Sequence, residues 1–107
     1  MRMYKDDGKE GIPPEYSKEI NLEEALREID RFPTVEGNFI GLINEKEEII
    51  QFVRLGEDEW MIDVPVNQDG KFLYSLQDEI EHSVVRKIVT RFSQVKEWKN
   101  LCHLKRR

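Results

Sequence analysis

Apolar residues in this chain recur with two periods, and each period predicts an element. From Asn21, the positions Leu22, Ala25, Leu26, Ile29 and Phe32 repeat at helical spacing and cover about 120° of a helix circumference. Asn21 suits an N-cap, Glu24 three residues later completes a capping box, and Glu23 faces Arg27 one turn on. Pro33 ends this helix.

Residues 38–44, 49–55 and 59–64 read as three strands joined by polar turns. The first turn is Glu45-Lys46-Glu47-Glu48 and the second is Gly56-Glu57-Asp58. In the third strand Trp60, Ile62 and Val64 alternate with Glu59, Met61 and Asp63, and Pro65 is expected to close it. After the turn cluster at 67–70, Phe72-Leu73-Tyr74 reads as a fourth strand. The first two strands are apolar on both faces: Phe39 and Ile43 oppose Ile40 and Leu42, and Ile49 and Val53 oppose Ile50 and Phe52. Both faces therefore need cover, from helices, a chain terminus or a partner.

A second helix is expected from near Ser83 to about residue 94, with Val84, Val85, Ile88, Val89 and Phe92 on one face; a start near Asp78 would add Ile80. Trp98, Leu101 and Leu104 then anchor the tail. Residues 1–18, with Asp6, Asp7, Gly8, Gly11, Pro13 and Pro14, read as a mobile arm or an edge strand. The expected fold is a single α+β domain over 1–107: an antiparallel sheet of four to five strands, with one N-terminal and one C-terminal helix packed mainly on one face.

Composition narrows the setting. At 107 residues, with 38% hydrophobic and 36% charged residues, the chain suits one folded domain. A single cysteine, no apolar run long enough to span a bilayer and no signal-like N-terminal stretch make a cytoplasmic protein the expectation, without membrane contact. Charge is divided unevenly. Residues 1–81 hold 21 acidic and 9 basic side chains, net -12, whereas residues 82–107 hold 8 basic and 1 acidic, net +7. An acidic body attracts basic partners and disfavours nucleic acid.

The chemistry-bearing residues do not converge in sequence. Asp78-Glu79-Ile80-Glu81-His82 are consecutive, and only Asp78 and His82 have helical ligand spacing, so a solvated helix start is the simpler reading. Cys102 adjoins His103, but a nucleophile and its base normally come from separate elements; Lys99 and Lys105 would favour the thiolate. Asp63 is the one carboxylate within a mainly apolar strand, an isolated candidate acid or base. No catalytic, metal or cofactor site is assigned. Arg86, Lys87, Arg91, Lys96, Lys99, Lys105, Arg106 and Arg107 supply charge for phosphate contacts without a recognition motif around them.

The succession of Leu22–Asp30 as an acidic helix, Phe39-Ile40-Gly41-Leu42-Ile43, Ile50-Gln51-Phe52-Val53, a Trp-bearing strand with Asp63, a Val-Val-x-x-Ile-Val-x-x-Phe helix and a tail built on Trp98 and Leu101 resembles small bacterial α+β immunity proteins of polymorphic toxin systems. The resemblance implies a non-enzymatic, cytoplasmic protein that binds and blocks a basic toxin, often through an acidic surface; the basic C-terminus departs from the pattern. The expected contact residues are Glu45, Glu47, Glu48, Glu57, Asp58, Glu59 and Trp60. The alternatives are a homodimer or larger homo-oligomer assembled through the apolar sheet face, and nucleic-acid binding through the basic C-terminal segment.

Overall fold

The alternating segments form one antiparallel sheet that reaches further at both edges than their periodicity predicts. The computed structural model describes all 107 residues. In chain order the elements are β1 (Arg2–Asp6), β2 (Gly11–Ile12), β3 (Lys18–Glu19), α1 (Leu22–Arg31), β4 (Phe39–Ile43), β5 (Ile49–Arg54), β6 (Glu59–Gln68), β7 (Lys71–Glu81), α2 (His82–Ser93) and β8 (Lys105–Arg106). The sheet has eight strands, not four to five, in the order β2-β1-β4-β5-β6-β7-β8, with β3 also paired to β1.

The N-terminal residues account for part of the difference. β1 is no mobile arm: all five of its residues pair with β4, from Arg2 opposite Ile43 to Asp6 opposite Phe39. Met3 and Tyr4 are buried, and so is Lys5, whose ammonium lies 3.3 Å from Asp7 and 3.2 Å from Glu28. Burial works to lower the Lys5 pKa, but these two carboxylates outweigh it and hold the ammonium above its usual value.

In α1 the expected capping box is present. Asn21 Oδ1 accepts from the Glu24 N–H at 2.8 Å, and Glu24 Oε1 accepts from the Asn21 N–H at 3.1 Å. The acidic run 78–81 belongs to β7, so α2 begins at His82 with Glu81 as N-cap. Its position is set by strand pairing: Asp78 to Glu81 lie opposite Ile62 to Glu59.

β6 does not stop at Pro65. Its pairing with β5 ends at Gln51 opposite Asp63, but its pairing with β7 continues to Gln68 opposite Lys71. The reason is geometric. The Ser75 carbonyl accepts from the Arg107 N–H at 2.8 Å, so Ser75 and the opposing Pro65 point their backbone groups away from each other. The missing N–H of Pro65 thus falls on the side β5 has already left, where no hydrogen bond is lost. Beyond this point β6 and β7 form a two-stranded ribbon, closed by Asp69 and Gly70 at positive φ and irregular between Val66 and Asn67.

Alternate strand positions lead to different surroundings. Met3, Ile40, Leu42, Ile50, Phe52, Trp60 and Ile62 join Ala25 and Ile29 of α1 and Val85, Ile88, Val89 and Phe92 of α2 in one buried cluster, which Trp98 extends. On the opposite face Tyr4 and Ile43 are buried outside that cluster, beside the partly exposed Phe39, Ile49, Val53 and Met61. Here the Tyr4 ring lies directly over Gly41, where an added Cβ would meet the ring at 2.0 Å. We expect Gly41→Ala to displace that ring and lower stability by about 1–3 kcal/mol in urea unfolding. Combining it with Tyr4→Ala should remove most of the added penalty in a double-mutant cycle.

Candidate functional site

The β5–β6 turn and the end of β7 meet at one corner of the sheet. There an open cleft of about 420 Å³ is lined by Asp58, Glu59, residues 78–81, Val84, Leu101, Cys102 and His103, with Asp78 and Ile80 on the sheet face of Trp60 and Glu59, Glu79 and Glu81 on the opposite face. Two of the five carboxylates have work inside the fold. Asp58 Oδ1 accepts from the His82 N–H at 3.2 Å, and Asp78 Oδ2 accepts from the His103 N–H at 2.9 Å. The other three have no ion-pair partner. Glu59 stands directly opposite Glu81, and Glu79 opposes Met61 two positions along the same face. Like charges in direct cross-strand register destabilise a sheet, so this corner is in a state that an added cation would relieve.

The sequence-predicted contact residues divide. Glu57, Asp58 and Glu59 are exposed at this corner. Glu45, Glu47 and Glu48 are also exposed, but at the β4–β5 turn, the opposite end of β5. Of these, Glu47 pairs with Arg2, and Glu48 accepts from Asn44 Nδ2 at 2.9 Å, so this second turn is tied to the fold.

Trp60 is not a contact residue. It is fully buried, stacked at 5.7 Å from Phe32 and lying under the Arg54 guanidinium at 4.1 Å. Its indole N–H donates to His82 Nδ1 at 3.1 Å, which leaves the ring proton on Nε2 for Asp30 Oδ1 at 2.9 Å. Arg86 holds the other Asp30 oxygen. Burial works to raise the Asp30 pKa, but the hydrogen bonds from His82 and Arg86 outweigh it and keep the carboxyl below its ordinary value. With both ring nitrogens engaged, the imidazole links β6, α1 and α2 and has no free nitrogen to act as a base.

Arg54 is buried as well, with Nη2 donating to the Phe32 carbonyl at 3.4 Å while Nε and Nη1 lack partners. Burial pushes its pKa down and the nearby charges of Asp58 and Glu57 oppose that shift. The acidic turn therefore also counterbalances a buried cation.

The basic segment lies beside the acidic corner, where Lys105, Arg106 and Arg107 line one pocket with Asp78 and Glu79 without an ion pair to either. β8 runs beside β7, with Lys105 opposite Gln77 and Arg106 opposite Leu76, and none of Lys105, Arg106 and Arg107 forms an ion pair. Arg91 turns to the Glu97 carbonyl and Asn100, and Arg86 is taken up by Asp30, so the cations are dispersed among structural roles. The Cys102 thiol is pushed up in pKa by burial and by Asp78; Lys99 and Lys105 do not activate it.

Asp63 is the centre of a hydrogen-bonded row on the face away from Trp60. Tyr4 Oη donates to Gln51 Oε1 at 2.8 Å, Gln51 Nε2 donates to Asp63 Oδ2 at 2.9 Å, and Gln77 Nε2 donates to Asp63 Oδ1 at 2.7 Å. Both carboxylate oxygens are thus occupied by neutral amides. No three His, Cys, Asp or Glu side chains lie close enough together to hold a metal ion.

These features define a small α+β domain with a mostly antiparallel sheet and one uncompensated acidic cleft. No family model, curated protein or solved structure matches the chain, and nothing in those comparisons links it to immunity proteins.

Burial, followed by the charge of Asp63, pushes the Tyr4 phenol up from 10.0 to about 12. Because folding raises this pKa, the phenol's contribution to stability is complete below pH 10 and is lost as pH rises towards 12. Phenolate absorbance should show one tyrosine ionising near pH 12 in the folded protein. Asp63→Asn should lower that value, and Tyr4→Phe should flatten the alkaline decline in the urea midpoint.

Proposed function

We propose that this chain is a non-enzymatic protein-binding module that takes a cationic surface of a basic partner into its acidic cleft. The resemblance to immunity proteins makes a toxin the first class of partner to try. The observation that carries this reading is the Glu59–Glu81 register, with Glu79 beside it on the same sheet face and no ion pair to any of the three. Lysine and arginine side chains bring the charge that these carboxylates lack. Of the residues expected from sequence, Glu57, Asp58 and Glu59 stay in this proposal, Glu45, Glu47 and Glu48 form a separate patch, and Trp60 supports the corner from beneath.

Glu59→Lys separates binding from stability. Replacing one of two opposed like charges should raise the unfolding free energy by about 0.5 kcal/mol. The same change should weaken capture of a Lys- and Arg-rich peptide roughly three- to tenfold, mostly through slower association that salt also suppresses. Calorimetric titration of the peptide against both proteins at two salt concentrations checks this. Unchanged peptide affinity in the variant refutes the proposal, as does a chain that retains only nucleic acid at moderate salt.

A further inference from the structure

The sheet splits beyond Gln51. There β5 pairs with β6 for the last time, opposite Asp63, yet β5 runs back to Ile49 and β6 runs on to Gln68. A cleft of about 340 Å³ opens in the gap, with apolar walls from Ile50, Val64, Val66, Leu76, Phe92 and Trp98. Both sides of the gap carry main-chain groups that the ladder leaves over. Ile49 and Pro65 are next in register, and Pro65 has no N–H to offer the Ile49 carbonyl. Gln68 and Lys71 close the two-residue turn of Asp69 and Gly70 by bonding to each other, so Asn67, one residue earlier, points its N–H and C=O away from β7. No strand continues on that side, and no backbone group outside the ladder bonds to either group of Asn67.

We propose that this gap is a strand-addition site, where an extended, uncharged segment of a partner polypeptide lies along β6 from Pro65 to Asn67 and sinks an apolar side chain into the cleft. The outward groups of Pro65 and Asn67 are two residues apart, the spacing at which one edge of an added strand presents its own N–H and C=O. Alternation puts Val64, Val66 and Leu76 on the sheet face of Trp60, and Phe92 and Trp98 belong to the buried cluster on that face. Every second side chain of an added strand therefore points towards apolar walls, so the backbone supplies affinity and the cleft supplies selection. Charge does not choose the occupant. Glu47 is paired with Arg2, Glu48 accepts from Asn44, and Lys99 lies 6.0 Å from the Trp98 ring centroid, so the rim holds both signs. A third strand here also supports the ribbon beyond Pro65, which has only two. The gap lies at the other end of β5 from the acidic corner and does not depend on what that corner binds.

Amide-shift titration of the full chain with the capped peptide acetyl-Thr-Val-Thr-Leu-Thr-Val-amide tests the proposal. The amides of Ile49, Val66 and Asn67 and the Trp98 indole should move together, with an affinity that salt leaves unchanged, while the Trp60 indole, held by His82, stays in place. Two copies of the peptide, N-methylated on alternate residues in opposite phase, keep the side chains and each lose the donors of one edge. One copy should bind roughly tenfold more weakly and the other unchanged, because an added strand bonds to β6 through a single edge. Leu76→Trp fills the cleft, and Asn67→Pro removes an outward N–H without a ladder bond. Each should weaken binding several-fold while thermal unfolding stays cooperative. Absence of shifts up to millimolar peptide overturns the proposal. So does equal binding of both methylated copies with the same amides shifted by decanoate, which makes the cleft an apolar pocket only. Concentration-dependent shifts of these amides without peptide overturn it too, since the occupant is then a second copy of this chain.

Discussion

Residues of both helices share one buried cluster with one set of alternate strand positions, and the other set must be covered without them. β4 and β5 are apolar on both sides, so the burdened face needs some other device. It has two. The Tyr4 ring folds over Gly41, using the missing side chain as its seat, and the row Tyr4–Gln51–Asp63–Gln77 ties four strands together through side chains. Each such hydrogen bond contributes about 1 kcal/mol net, so the three together rival the burial of one large apolar side chain. The row also satisfies both oxygens of Asp63, so the one carboxylate on that strand that looked chemically isolated is a structural link.

Pro65 decides what happens beyond the sheet. A two-stranded ribbon is marginally stable alone in water, and this one extends past the edge of β5. The C-terminal segment supports its base: β8 adds a third strand at Leu76 and Gln77, Arg107 bonds to Ser75, and Arg106 stacks on Tyr74. The basic residues are therefore held along the ribbon and are not free to fold across the acidic turns. Folding brings part of the basic segment up to the acidic one, since Lys105, Arg106 and Arg107 line a pocket with Asp78 and Glu79, but it forms no ion pair there.

The parts of the fold that sequence revealed are those whose signal is local. The α1 capping box and the alternation around Trp60 each lie within a few residues and are present, and of the turn expected at residues 67–70 Asp69 and Gly70 make the turn while Asn67 and Gln68 stay in β6. β1 was hidden because its interior position depends on Lys5, a residue that reads as exposed until Asp7 and Glu28 fold around its ammonium. Pro65 misled for the opposite reason. A residue without an N–H is a sound terminator of a central strand, but β6 ceases to be central at that residue. Trp60 has the composition of a contact residue, and only the tertiary placement of Phe32 and Arg54 over it shows that it is covered. Half of the acidic corner was legible as a charged turn. Its other half read as a helix start, because the register that sets Glu81 against Glu59 joins residues 22 apart in sequence.

That register sets the corner apart from the other acidic groups of the protein. Asp30 has Arg86 and His82, Glu47 has Arg2, and Asp7 and Glu28 share Lys5; each has been given a cation by the fold. Glu59, Glu79 and Glu81 have been given none, although Lys105 lies one strand away opposite Gln77. Solvent and salt keep the resulting repulsion small, a fraction of a kcal/mol to about 1 kcal/mol, which a domain can tolerate. The same three charges act more strongly once a partner excludes water from the cleft, because the effective dielectric falls and a cation brought there is screened less. An arrangement that is slightly unfavourable in the free protein is thus the one with the most to gain from a cation, which is the physical basis of the proposed docking at this corner.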